Sequence, residues 1–277
     1  MRIALAQLDA SPGDVAANLE RAASTVSAAE DAGADVVVFP ELSLSGYALG
    51  DRTEQAALAP GDPRLAALTH AGGAAAVVGL VEAAPGGGAH DSAAWLEDGR
   101  VAHVQRKLYL PTYGRFDEGR RFLPGDETAA FDTAHGRAAL VVCNDAWQPV
   151  VPWLAAQDGA GVLYVLAASG RSLPGERIDI PATWDDLLRA VARLLQVVVV
   201  FVNRAGEEGR LRFWGGSRVL GPWGDELARA AGDAEELVVA DVDLGAVEAA
   251  RAEMPLGGAG PHHAVAAALQ RLPVRSP

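Results

Sequence analysis

The sequence is poor in cysteine, in lysine and in long apolar runs, and each shortage closes off a class of protein. A single cysteine, Cys143, cannot form an intramolecular disulfide, and such usage fits a reducing compartment. No stretch approaches the roughly 20 apolar residues of a membrane helix. The longest candidate, LLQVVVVFV, has the length of a strand. The opening MRIALAQLDASPGD has too short an apolar run for a secretory leader. A cytoplasmic protein with no membrane partner is therefore expected. Positive charge is also scarce: a net charge of −13 opposes nucleic acid or an anionic membrane as the main partner. An apolar content of 50% opposes disorder.

Lysine is the most informative shortage. Lys and Arg together number 23, and only Lys107 is lysine. Drift toward arginine explains the shortage but not the position of the survivor. Lys107 opens KLYLPTYGRFDEGRRF, the most aromatic stretch of the chain. A compact ammonium in that place suggests a task that a broad, planar guanidinium cannot perform.

The 277 residues are compatible with one α/β domain over 1–277, of which 255–277 read as a Gly/Pro-rich tail. Apolar runs of strand length stand at 2–8, 34–41, 74–84, 161–168, 197–206 and 237–244. Strands at 91–97 and 100–106 meet across Asp98-Gly99, a strong hairpin signal. Helices are expected near 14–32, 150–158 and 182–196, the first capped by Asp14 and stopped by Gly33. The strand–helix–strand order implies parallel pairing under a helical cover. Near a dozen strands are too many for one ordinary sheet, so two packed sheets with helices outside are expected. Residues 107–126 follow neither period and read as a long functional loop.

The stretch RAALVVCNDAW, 137–147, runs apolar and stops at a polar step, as a strand buried on both faces does. Cys143 stands at its end. A lone cysteine is more often a small buried hydrophobe than a nucleophile. Its company changes that reading. Glu41 follows ADVVVFP and Lys107 follows VAHVQR, so three different functional groups stand at three strand ends. Strand ends are where side chains leave the packed core. A thiol of ordinary pKa, ~8.5, needs a base or a cation beside it to react at neutral pH. The six histidines fall in helix ends, hairpin strands, turns and the tail, which makes a Cys–His pair the weaker option.

FPELSLSGY, RKLYLPTYGRFDE and VVCNDAWQP resemble the three signature segments of the nitrilase, or carbon-nitrogen hydrolase, superfamily, and VNRAGEEGRLRFWGGSRVLGPWG resembles its downstream segment. The KLYLPTYGRFDEGRRF wording is most similar to the glutaminase portion of glutamine-dependent NAD synthetases. The sequence departs from those enzymes in having no Gly-rich pyrophosphate loop, and Asn144 stands where an acid is expected. The resemblance implies a four-layer α-β-β-α sandwich of two mixed sheets with helices on the outer faces. It implies Glu41 as general base, Lys107 as the cation at the oxyanion, Cys143 as nucleophile and Glu118 as a second carboxylate near the lysine. The backbone N–H of Asn144 would be a further oxyanion donor. It implies no metal and no cofactor.

The expected activity is that of an amidase, releasing ammonia or an amine from a small carboxamide through a thioester. A nitrile or N-carbamoyl substrate would use the same three groups. A catalytically silent member would instead bind a metabolite or a partner. Tyr113, Phe116, Trp147, Ala168, Ser169 and Asn203 are candidates for the pocket, with core packing or turn capping as their alternative. Arg204 is a further candidate for capping the pocket or a turn. The resemblance also implies a homodimer or higher homo-oligomer built through helical faces, and the apolar stripe of 182–196 is the candidate face.

Overall fold

Alternating side chains decide the architecture. In β1 (Arg2–Gln7), Ile3 and Leu5 enter one apolar cluster while Ala4 and Ala6 enter another. In β7 (Gly136–Val142), Leu140 and Val142 join the first of these clusters, whereas Ala139 and Val141 face a third. A strand buried on both faces needs cover on both, and here each sheet lies between the other sheet and a layer of helices. The computed structural model describes residues 1–173, 175–257, 260 and 262–273.

The first sheet has six strands. Its order is β14 (Glu236–Asp241), β1, β2 (Val36–Val38), β3 (Ala75–Ala83), β4 (Ala89–Glu97) and β5 (Arg100–Arg106). The second runs β13 (Glu226–Arg229), β12 (Arg218–Leu220), β9 (Val198–Asn203), β8 (Val162–Ala167), β7 and β6 (Phe131–Thr133). Both are mixed. β1, β2 and β3 are parallel, as are β7, β8 and β9, with antiparallel strands at the flanks. A two-stranded ribbon, β10 (Glu207–Glu208) and β11 (Leu211–Arg212), stands apart.

Helix α1 (Val15–Asp31) lays Leu19, Ala22 and Val26 on the first sheet, with α2 (Pro63–Ala66) beside it. Helices α3 (Val150–Gln157) and α4 (Ile180–Leu195) cover the second. This is the four-layer sandwich anticipated from the sequence. Asp14 caps α1 by accepting the Ala17 N–H at 3.0 Å. Helix α4 starts two residues before the expected 182, because Asp179 accepts the Ala182 N–H and Pro181 fits the first turn. Its stripe of Trp184, Leu188 and Ala192 is buried within the chain, against the second sheet.

Two expectations need correction. The strand at 34–41 shrinks to three residues, since Pro40 and the turn that follows it end the pairing. The segment from residue 255 is not all tail: it contains α5's successor, helix α6 (His262–Gln270), where α5 is Gly245–Glu253. Residues 258, 259, 261 and 274–277 of that segment lie outside the described residues. Among the described residues no helix is long and apolar enough to cross a membrane.

Candidate active site

Strand direction gathers the site. The carboxyl ends of β2 and β3 lie at one edge, and β5, antiparallel to β4 and so aligned with β3, ends there too. In the second sheet β7, β8 and β9 end together. Glu41, Lys107, Cys143 and Ala168 leave the ends of β2, β5, β7 and β8.

Glu41 sits in a tight turn whose next residue, Leu42, has a φ of +50°. Gly79 of β3 lies directly beneath. A Cβ there would stand 2.3 Å from Leu42 N and 2.5 Å from the Pro40 carbonyl oxygen, so only glycine lets the turn approach. Lys107 is fully buried, and its backbone N–H donates to the Asp91 carbonyl at 2.8 Å. Its Nζ meets Glu41 Oε1 at 2.6 Å, Glu118 Oε2 at 2.6 Å and Asp91 Oδ2 at 3.3 Å. The second oxygen of Glu41 accepts the Ala168 N–H at 2.6 Å. Glu118 starts a 3-10 turn, Glu118–Arg120, and its other oxygen accepts the Tyr47 hydroxyl. One oxygen from each of Glu41, Asp91 and Glu118 lies within 4.8 Å of the others, a spacing a metal could use. The ammonium already holds the place of that cation.

Cys143 has a φ of +43°, a conformation an L-residue adopts at a cost of about 1–3 kcal/mol. Such strain commonly marks a side chain aimed for use. Burial, reinforced by the Glu41 charge, holds its thiol well above the usual range, against the opposing pull of Lys107. The resting thiol is therefore neutral. A 3-10 turn, Cys143–Trp147, follows it and brings Asp145 inward. Asp145 accepts the Tyr109 N–H at 2.8 Å and the Leu108 N–H at 3.1 Å, and the Asn144 side-chain amide donates to the Tyr109 carbonyl at 3.0 Å. These bonds tie the segment after the lysine to the segment after the cysteine.

Cys143, Glu118 and Asn144 open onto a cavity of about 390 Å³. Tyr113, Phe116, Trp147, Ala168 and Ser169 line it, in the place the sequence suggested. Asn203 does not. It is fully buried behind the wall, where Oδ1 accepts the Ser169 N–H at 2.8 Å and Nδ2 donates to the Gly215 carbonyl at 2.9 Å. Arg204 is likewise remote from the cavity wall, paired with Asp9 and Glu208. Sequence reasoning missed Tyr47, Asp91, Asp145 and Trp184. Trp184 lines the cavity from α4 and donates its indole N–H to Ser169 Oγ at 2.9 Å.

Residues 2–252 match the carbon-nitrogen hydrolase family. The chain belongs to that family. The glutamine-dependent NAD(+) synthetase of Thermotoga maritima is 31% identical over 248 residues, 88% of this chain but 42% of that enzyme. The chain thus spans less than half the length of that curated relative. The omega-amidase of Bos taurus is 30% identical over 264 residues and is matched almost end to end, 92% of this chain and 93% of that one. Among solved carbon-nitrogen hydrolase folds, the amidase of Nesterenkonia sp. AN1 superposes with a TM-score of 0.76 at 28% identity, over 92% of this chain and 95% of that one. That structure, of a Glu-to-Gln mutant, carries the acetamide moiety of fluoroacetamide on the active-site cysteine.

Proposed function

We propose that this carbon-nitrogen hydrolase is an amidase that cleaves a small carboxamide through a thioester on Cys143. The observation that carries the reading is the buried Lys107 ammonium, shared by Glu41 and Glu118 beside a strained cysteine at a cavity. Glu41 is the general base: the Ala168 N–H and Lys107 fix both its oxygens, so its orientation is set before substrate arrives. It takes the thiol proton as the sulfur attacks the amide carbon. The oxyanion forms against the Lys107 ammonium and the Asn144 backbone N–H. Glu41 returns the proton to the leaving amine and later deprotonates the water that releases the acid. Glu118, held by the Tyr47 hydroxyl, keeps the lysine charged and in place. The adduct on the cysteine of the Nesterenkonia amidase supports the assignment of nucleophile.

Trp147, Trp184 and Ile178 along the cavity favour a small acyl group with an apolar body. The test is a screen of ammonia release over glutamine, asparagine, short aliphatic amides, ω-amides and N-carbamoyl compounds. At least one amide should be turned over, and Cys143→Ser should fold and lose nearly all of that turnover. Silence across the screen, with a Cys143 that iodoacetamide alkylates slowly and that no amide protects, would leave a binding protein instead.

A further inference from the structure

Three carboxylates crowd one ammonium, and they are not held alike. Glu41 receives two strong donors, Lys107 Nζ at 2.6 Å and the Ala168 N–H at 2.6 Å. Glu118 accepts the Tyr47 hydroxyl through one oxygen, while its Oε2 lies 2.6 Å from the Lys107 ammonium, a close ion contact that completes no hydrogen bond among the described residues. Asp91 has only the longer 3.3 Å contact with Lys107, and among the described residues its Oδ1 has no hydrogen-bond partner. All three side chains are shut away from water.

Fully ionised, the cluster would carry three negative charges against one positive. Carboxylates that share a dry site do not all ionise; they keep a proton among them. It settles on the member that the cation approaches least closely, here Asp91 at 3.3 Å against 2.6 Å for the other two, because that anion is the least stabilised.

We propose that Asp91 is a positioning residue that carries this proton at neutral pH, bracing Lys107 as a neutral acid rather than as a third anion. Burial, then the Glu41 charge, pushes Asp91 well above the usual carboxylate range, against the pull of Lys107. As an acid it presents a proton toward Glu41, one of whose oxygens lies within 4.8 Å of its own carboxyl. The fold locks it in place, since its own carbonyl holds the Lys107 N–H. The charged groups facing it are Glu41, Lys107 and Glu118. Its neighbours in β4 are engaged elsewhere: Ser92 donates to Glu82, which pairs with Arg106, and the His90 ring meets the Leu123 carbonyl. A third anion would saturate the ammonium and oppose the thiolate that forms at Cys143. The proposal builds on the amidase reading, but its test needs no turnover.

The test labels the aspartate carboxyl carbons with carbon-13 in the full chain and identifies Asp91 by the signal lost in Asp91→Asn. At neutral pH that signal should stand at the position of a protonated acid. A carboxylate position overturns the proposal. Iodoacetamide alkylation of Cys143 then separates bracing from mere proximity. Asp91→Asn, neutral and isosteric, should alkylate near the wild-type rate, while Asp91→Ala should fall by about 10–100-fold, the usual loss when a supporting partner is removed. Equal rates in the two variants overturn the positioning role. An Asn variant that does not fold overturns the neutral acid, because a neutral isostere should then be tolerated. Loss of amide turnover in the screen with the acid signal intact would sink the amidase reading and leave Asp91 as assigned.

Discussion

Lys107 and Arg204 are both buried cations among carboxylates, and they are built in opposite ways. Arg204 donates to Asp9 Oδ1 at 3.0 and 2.8 Å, to Glu208, and to the Ala10 carbonyl at 3.1 Å. Its plane lies 4.4 Å from the centre of the Phe213 ring. Asp9 reaches water, with 34% of its side chain exposed, and Glu208 is further satisfied by the N–H groups of Tyr47 and Ala48. Each of the three Arg204 nitrogens has an acceptor and one of its two carboxylates reaches water, so the network is complete as structure. Lys107 faces three carboxylates shut away from water, two of which keep an oxygen without a hydrogen-bond partner among the described residues, and one of them, Glu118, lines the cavity. Unbalanced buried charge beside open space is the condition under which ionisable groups have chemistry left to perform.

Exchanging the two kinds of cation should break the comparison most sharply. Lys107→Arg keeps the charge and follows the chain's own habit, so a lysine serving only as a charge would tolerate it. On the proposed chemistry a broad guanidinium fills the space of the substrate carbonyl or pairs off with Glu41 and Glu118. Removing one oxyanion donor costs about 10²–10³ in rate, and displacing the base adds to that loss. Ammonia release on the best amide of the screen, with circular dichroism as the folding control, reads it. Retention of more than about a tenth of wild-type turnover would remove Lys107 from the oxyanion.

The converse variant, Arg204→Met, should act on stability instead. It strands Glu208 in the interior without its cation, which typically costs about 3–5 kcal/mol. Replacing both partners, Arg204→Met with Glu208→Leu, should recover much of that loss, since a buried pair is often matched by apolar residues. Recovery would be incomplete, because the Tyr47 and Ala48 N–H groups lose their acceptor. Urea unfolding of the three proteins checks this. A single variant as stable as wild type would make the Arg204 network decorative.

Much of this was legible in the sequence, and what was not has a physical cause. Continuous apolar runs of strand length exposed the strands, and position at strand ends drew out Glu41, Lys107 and Cys143. Asp91 escaped because of a register slip. The two-residue turn at Asp98-Gly99 pairs Glu97 with Arg100, and an unbroken ladder would set Asp91 opposite Arg106. The register shifts between Trp95 and Leu96, so Ser92 pairs with Arg106 and Asp91 meets Lys107. A one-residue slip moves every later side chain to the other face, and no residue pattern announced it. Tyr47 lies in a loop with no period to read. Asn203 stood at a strand end like the others, yet the loop after β8 folds back over it. Strand ends place a side chain at the right edge of a sheet but not at a cavity.

Asp145 offers the finest test, being a buried carboxylate with N–H donors but no cation in contact. Burial pushes it up from 3.8 to about 7, against the N–H groups of Tyr109 and Leu108. Its folded form thus binds a proton more tightly than its unfolded form. The stability it contributes is full below 3.8 and is lost as the pH rises through about 7. Asp145→Asn cannot titrate, and its amide oxygen can still accept from Tyr109. The variant should show a flatter dependence of unfolding free energy on pH across that window, with its melting point nearest to wild type at the acidic end, where the wild-type carboxyl is also neutral. If both proteins lose stability in parallel, Asp145 is ionised throughout and the two N–H donors outweigh burial. Backbone donors alone would then suffice to hold a buried anion, and the longer 3.3 Å reach from Lys107 to Asp91 would become the feature that separates it from its neighbours.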